Sequence, residues 1–543
     1  MAAVTFAILK LQINASDRIV STLWWILFVL ALGVVTAIRI RLLAFPLERD
    51  EGEYAYAGQL LLHGVPPYQL AYNMKFPGTY AAYALIMFIF GQSTVGVHLG
   101  LLIVNLATVA LIFFLGRRLL NWTAGIAAGS IYAVLSVSPW IDGFSAHATH
   151  FVMLAALGGA LLLLRAVERQ SWKILFGSGI LFGFAVLMKQ PGVCFAVFGA
   201  FYLLYCNGSS RAGLKRGVRA LAVFGAGVLT PFLVACLLLW RAGVFDRFWF
   251  WTIQYAREYG GLVSFRQGME ILREQIVSVI GAGWALWGLA AIGLVISAMA
   301  MKERRSGSFL VGWLVASVLG LSAGLYFREH YFVFVLPSIS LLAATAVAHP
   351  AFSLAQARAG RVLSPLVLSF ALALPLFADR QLFFTLDPAA ACRSIYYPNP
   401  FPECIRIADF VRKRTKPDDQ IAVLGSEPEI YFYADRRSAT GYIYTYPLME
   451  PHKYAAQMQR EMMREIEQRN PEFVIFVAVS VSWLVGSESD RSIFDWAHEY
   501  CAKNYAPVGL VTLSEKGSEY YFSGVLPSFD STQPYILIYQ RKA

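Results

Sequence analysis

Eleven apolar stretches run along this chain, near residues 20–43, 94–116, 122–140, 149–165, 172–188, 191–206, 218–240, 273–299, 309–327, 331–348 and 362–378. Crossing roughly 30 Å of hydrocarbon takes about 20 residues of helix. Within lipid, each backbone polar group must also find its partner inside the segment. The pattern therefore predicts a polytopic α-helical membrane protein of about 11 transmembrane helices. Composition agrees, since 15% of residues are charged where soluble domains carry about 25%. The first run, Thr22 to Leu43, is longer than a signal-peptide core of roughly 7–15 residues and is followed by no small-residue cleavage site. It reads as a retained span.

The net charge of +11 does not point to nucleic acid, because the basic excess sits in short gaps between apolar runs, where membrane topology explains it. With the N-terminus inside, the inside gaps hold Arg117 and Arg118; Arg165, Arg169 and Lys173; Arg211, Lys215, Arg216 and Arg219; Lys302, Arg304 and Arg305; then Arg358 and Arg361. Counting the short run Thr79 to Phe90 as a span would scatter these clusters over both faces, so it is read as a helix at the outer interface. An odd number of spans then places residues 380–543 outside. That segment changes character: "QIAVLG", "FVIFVAV" and "YILIYQ" read as strands, and "HKYAAQMQREMMREIEQR" as an amphipathic helix. The expected division is a transmembrane domain over 1–379, with a first external loop at 44–93, and an extracytoplasmic α/β domain over 380–543. Cys194, Cys206 and Cys236 fall in apolar runs as small hydrophobes. An oxidising exterior allows a Cys392–Cys404 disulfide or two free thiols. No CxxC spacing suggests a zinc site.

On this topology the unusual polar residues gather at one face. "FPLERDEGEYAYAGQLLLHG" (45–64) places Glu48, Asp50, Glu51 and Glu53 after the first span. Lys75, Asp142, His147, His150, Lys189, Arg247, Arg257, Glu258, Arg328, Glu329 and His330 fall on the same side. Ionisable groups at membrane depth are costly and mark functional sites by default. Plain structural readings stand beside that one. Asp50 and Glu53 have capping-box spacing for a helix through "EGEYAYAGQLLLH" ending at Gly64, although a capping Asp can still face a cavity. Asp142, His147 and His150 read equally as interfacial loop residues, Arg247 and Arg257 as part of an aromatic belt, and His330 and Tyr331 as interfacial anchors. Lys189 could snorkel, yet the Pro-Gly break after it leaves backbone groups that a polar cavity satisfies best. Carboxylates opposite a set of cations in an apolar cleft suit transfer from a lipid phosphate. The cations hold the leaving phosphate and a carboxylate deprotonates the incoming hydroxyl.

"RDEGEYA" followed by "MKFPGTYAAYALIMFIFG" resembles the first external loop of GT-C glycosyltransferases, the superfamily of protein O-mannosyltransferases and lipid A aminoarabinose transferases (glycosyltransferase family 39-like). "GFAVLMKQPGVCF" and "YFREHYFVFVLPSISLLA" resemble later segments of that family, and the likeness covers roughly 20–350. The resemblance implies inverting transfer of a hexosyl or pentosyl group from a polyprenyl-phosphate-linked donor to an envelope acceptor (lipid, glycan or protein) at the outer face of the cytoplasmic membrane. Asp50 would be the general base and Glu51 its support. Lys75, Lys189, Arg257 and Arg328 would bind donor phosphate, with Tyr54, His147, His150, His330 and Tyr331 contacting substrate. No cofactor is required beyond the donor, and a divalent ion near Asp50 and Glu51 is left open. Met74 stands where aminoarabinose transferases commonly carry an acidic residue, which weighs against aminoarabinose as the sugar. His147 and His150 stand near the second external loop, where bacterial relatives often show Asn or Glu, so acceptor contacts differ. The alternative is a transporter or flippase of a lipid-linked or anionic substrate, against which the chain shows no internal repeat. A third reading is a structural or assembly protein without an active site.

Overall fold

A computed structural model describes residues 2–207, 211–302, 305–348, 358–522 and 526–542; Arg304 of the basic gaps lies outside them. In chain order the N-terminal helices are α1 (Ala2–Arg41), α2 (Arg49–Leu62), α3 (Pro77–Phe90), α4 (Thr94–Leu119), α5 (Trp122–Leu135), α6 (Ala148–Arg169), α7 (Trp172–Met188), α8 (Val193–Asn207) and α9 (Arg211–Arg241). Then come α10 (Phe265–Ile280), α11 (Trp284–Met299), α12 (Arg305–Leu321), α13 (Leu336–Ala348) and α14 (Arg358–Ala378). The chain divides into two units. One comprises Met1–Arg41, Leu101–Leu233 and Val263–Thr385; the other comprises Leu42–Gly100, Val234–Leu262 and Leu386–Ala543.

Among the described residues, five helical stretches are long and apolar enough to cross a membrane: Ile19–Arg41, Thr94–Leu119, Ala148–Arg169, Gly213–Arg241 and Phe265–Met299. Three of them are only 22%, 17% and 28% buried (Ile19–Arg41, Gly213–Arg241 and Phe265–Met299). Apolar side chains left outward over such lengths suit lipid, not water. The protein is a multi-pass membrane protein. Several predicted runs are shorter as helices than as sequence. The run 122–140 stops at Leu135, ahead of Pro139, and the stretch from Ser322 to Val335 unwinds into two short 3-10 segments, Ala323–Leu325 and Glu329–Phe334. At the centre of this first unit, α13 is buried almost end to end and packs against α5 and α11, while α6 pairs with α7.

In the second unit α3 presents two faces. Tyr80, Tyr83, Ile86 and Met87 turn inward, while Leu85, Phe88 and Ile89 are exposed. The C-terminal part adds α15 (Phe401–Arg412), β1 (Gln420–Leu424), α16 (Glu429–Ala434), β2 (Arg437–Ser438), α17 (Ala455–Arg469), β3 (Phe473–Ala478), β4 (Tyr505–Ser514), β5 (Gly517–Phe522) and β6 (Tyr535–Arg541). The strands form one sheet ordered β2-β1-β3-β6-β4-β5, parallel from β2 to β3 and antiparallel beyond. The three strands and the amphipathic helix expected from sequence are β1, β3, β6 and α17. Met458, Met462 and Ile466 of α17 lie in a core with Tyr72, Trp251 and Tyr442. Cys392 and Cys404 are both buried free thiols, so the disulfide left open by sequence is not formed. The Cys404 thiol instead lies against Glu429.

Candidate active site

The first turn of α2 is where the sequence concentrates its acids, and each acid has a distinct job. Glu48, not Asp50, is the N-cap. Its backbone is extended (φ −80°, ψ 173°), and its side chain accepts from the amides of Asp50 (2.9 Å) and Glu51 (2.7 Å). Glu51 completes the box by accepting from the Glu48 amide at 3.5 Å. The expected Asp50/Glu53 box is thus corrected by two residues, because the chain straightens at Pro46–Glu48 and the free amides fall to Glu48. The helix ends at Leu62, capped by His63, and Gly64 takes the left-handed conformation at φ 76°.

With the capping done by Glu48, residues 50, 53 and 54 share one helix face. Lys75 reaches them from a bend just before α3, which Phe76 caps with extended backbone and Pro77 opens. The Lys75 ammonium donates to Asp50 Oδ1 (2.9 Å) and Glu53 Oε2 (2.7 Å) and sits 4.6 Å from the centre of the Tyr54 ring and 5.5 Å from that of Tyr444. Glu53 also accepts from Asn73 (2.8 Å) and from the Tyr80 hydroxyl (2.7 Å). Tyr444 donates its hydroxyl to Asp50 Oδ1 at 2.9 Å. Burial raises the Glu53 pKa despite the pull of Lys75. Burial works against the Lys75 ammonium too, but Asp50 and Glu53 outweigh it and hold its pKa above the ordinary value. Glu53, buried beside Lys75, therefore holds its proton more tightly than an exposed glutamate.

Glu51 points elsewhere. His98 sets Nδ1 against the Leu43 carbonyl (2.9 Å) and Nε2 against Glu51 (3.1 Å). Arg49, 8% exposed, donates to the Ser426 carbonyl (2.7 Å), the Tyr446 hydroxyl (2.5 Å) and Asn399 (2.8 Å), and faces Glu427 at 3.3 Å. Arg49, Asn73, Tyr80, His98, Tyr444 and Tyr446 do not stand out from sequence. The one signal for the last two is the tyrosine-rich "GYIYTYP".

The other predicted residues lie in the first unit, except Arg257, which is exposed on the 234–262 segment of the second. Asp142 follows a turn at Pro139–Ile141 in the left-handed conformation. Its Oδ2 is 3.6 Å from both His147 Nε2 and His330 Nδ1, and the two imidazoles stack at 3.9 Å, 9° from parallel. Burial works to raise the Asp142 pKa, yet the two histidines outweigh it and hold the carboxyl below its usual range. Tyr331 meets the His330 ring edge-on at 4.7 Å, and the Lys189 ammonium sits 4.0 Å over the Tyr331 ring. Arg328 is half-buried beside Tyr326. His150 is buried, and neither ring nitrogen has a hydrogen-bond partner among the described residues.

Residues 75–240 match the family model of dolichyl-phosphate-mannose-protein mannosyltransferases. Among solved structures, ArnT from Cupriavidus metallidurans bound to undecaprenyl phosphate superposes with a TM-score of 0.59 over 95% of this chain and 98% of that one, at 12% identity. The oligosaccharyltransferase of Archaeoglobus fulgidus, tethered to an acceptor peptide with an NVT sequon, gives 0.54 over 92% and 74%, at 15% identity. The same archaeal enzyme, AglB, with an inhibitory peptide and dolichol-phosphate gives 0.53 at 14% identity. The chain has the GT-C fold. At the level of the fold that bears out the resemblance drawn from the loop motifs, and neither the family match nor the solved neighbours lends support to the transporter alternative. No curated protein matches the sequence. The family match begins at Lys75, so α2 and its acids stand outside it.

Proposed function

We propose that the protein is an inverting glycosyltransferase that moves a sugar from a polyprenyl-phosphate donor to an envelope lipid, glycan or protein at the outer face of the cytoplasmic membrane. The observation that carries this reading is the Asp50 carboxylate, held between Lys75 and Tyr444 on a helix that a different residue caps. In the proposed step Asp50 takes the proton of the acceptor hydroxyl. The oxygen attacks the anomeric carbon from the face opposite the phosphate, a new glycosidic C–O bond forms, and the bond to the phosphate oxygen breaks. The polyprenyl phosphate leaves as the anion. Glu51 supports Asp50 through the cap, and Lys75, Lys189, Arg257 and Arg328 are the cations proposed for donor phosphate. Tyr54, His147, His150, His330 and Tyr331 are the proposed substrate contacts. Eleven spans, a catalytic domain over 1–379 and an extracytoplasmic domain over 380–543 belong to the same proposal, as does a reaction with no cofactor beyond the donor.

The test is Asp50→Asn. The cap lies on Glu48, so the helix is kept, and transfer should fall by about 10²–10⁴-fold. Mass spectrometry of envelope lipids and glycans, comparing a deletion strain complemented with wild type or variant, should show the modified acceptor lost and the donor accumulating. A variant that restores the acceptor to parental levels removes Asp50 as the base.

A further inference from the structure

An aspartate that serves as a base has two freely turning side-chain bonds, and its carboxylate plane must be held within about 10–20° to be useful. Lys75 is a poor holder by itself, because its flexible four-carbon stem is shared with Glu53 at 2.7 Å. Tyr444 is a different kind of donor. Its ring is buried and packs edge-to-face on Tyr446 at 5.0 Å. Tyr446 in turn donates to the Val481 carbonyl (2.7 Å) and accepts from Arg49 (2.5 Å). A closed circuit therefore leaves α2 at Arg49, passes through Tyr446 and Tyr444, and returns to α2 at Asp50. Arg49 is fastened further by the Ser426 carbonyl and Asn399, and Gly52 lies so close to α16 that a methyl there would meet the Glu429 amide nitrogen at 2.7 Å. All of the circuit's partners belong to residues 386–543.

We propose that Tyr444 is a positioning residue for Asp50, and that the C-terminal segment thereby completes the reaction centre. Tyr444 touches no reacting atom in this scheme. It fixes the carboxylate plane and favours the ionised form through one hydrogen bond. The inference rests on the reading of Asp50 as base, and the two can be tested apart.

The experiment uses the full-length protein in lipid nanodiscs and needs no substrate. Dicyclohexylcarbodiimide reacts with protonated carboxyl groups, and peptide mapping resolves Asp50 from Glu48, Glu51 and Glu53 nearby. The ionisable groups around Asp50 in this unit are Glu48, Arg49, Glu53, Tyr54, Lys75, Tyr83 and Tyr444, and only the last is altered. Tyr444→Phe, which keeps the ring and its packing, should move the pH of half-labelling at Asp50 upward by about one unit. It should also lower transfer in cells about tenfold. Incorporating 3-fluorotyrosine at 444, a stronger donor, should move half-labelling the other way. A purely structural tyrosine would not give shifts of opposite sign. An Asp50 labelling curve unchanged in both variants overturns the positioning role even if Asp50→Asn is inactive. Normal transfer by Asp50→Asn overturns the base reading whatever the labelling shows.

Discussion

The acids of α2 and the Asp142 cluster look alike as sequence, each a carboxylate near basic residues in an aromatic setting, but they balance charge in opposite ways. Around Lys75, two carboxylates share one ammonium and the surplus is negative. Around Asp142, one carboxylate serves two stacked imidazoles, and any surplus is positive once they take up protons. In the first, burial holds the Glu53 proton while the two acids hold the Lys75 ammonium charged. The second holds the Asp142 carboxyl below its usual range against the pull of burial. The first is the setting proposed for the base and a phosphate-binding cation, and the second is a buried polar contact.

The contrast can be broken most forcefully at Lys75. Lys75→Met should destabilise the protein by about 3–5 kcal/mol, because it leaves Glu53 buried and Asp50 half-buried without a counter-charge. Thermal unfolding in detergent would read this, and a loss below about 1 kcal/mol would mean the two acids already share a proton in place of the ammonium. Gly52→Ala comes next, at about 1–3 kcal/mol, since its methyl would meet the backbone of Glu429 at 2.7 Å. The same melting experiment checks it, and an unchanged midpoint would show that α2 and α16 are less tightly joined than their contacts imply.

The pH dependence sharpens the comparison, at about 1–2 kcal/mol for each residue. Asp142 is held below its unfolded value of about 3.9. It therefore stabilises the protein at every pH above that value and loses this contribution as pH falls through the folded one. The deficit of Asp142→Asn should be greatest at neutral pH and close below about pH 4. Glu53 is raised above its unfolded value, so its contribution is full below about pH 4 and is lost as pH rises through the folded one. The deficit of Glu53→Gln should narrow from pH 4 to pH 8. Parallel trends in the two variants would contradict the opposite charge balances. The smallest effect belongs to neither cluster: Arg266→Gln breaks an exposed pair with Glu270 (3.1 Å) and should cost no more than about 0.5 kcal/mol. Its melting midpoint serves as the baseline for the others.

Much of this architecture is legible in the residues themselves. The apolar runs locate the helical bundle, and alternating and apolar short runs locate β1, β3 and β6, because both signals are properties of a few consecutive residues. The loop "RDEGEYA…MKFPG" locates the acids and Lys75 for the same reason. The cap is misplaced because Asp is the commoner N-cap residue, and only the extended backbone at 48 brings the free amides to Glu48 instead. Tyr444 shows only as one of the tyrosines of "GYIYTYP", and nothing there ties it to Asp50, 394 positions away. Likewise Arg49 reads as one more charge in a charged loop, although it is buried and fully engaged.

By itself, then, the sequence determined that the chain enters a membrane, where its helices run, and which loop gathers carboxylates. Hydropathy and charge are summed over neighbours along the chain, and a bilayer reads them one segment at a time. Only the tertiary structure decided which acid caps, which is clamped by a cation and which receives a phenol. Those assignments turn on ångström distances between residues that are remote in sequence, and burial makes each unmet polar group too costly for the arrangement to be left loose.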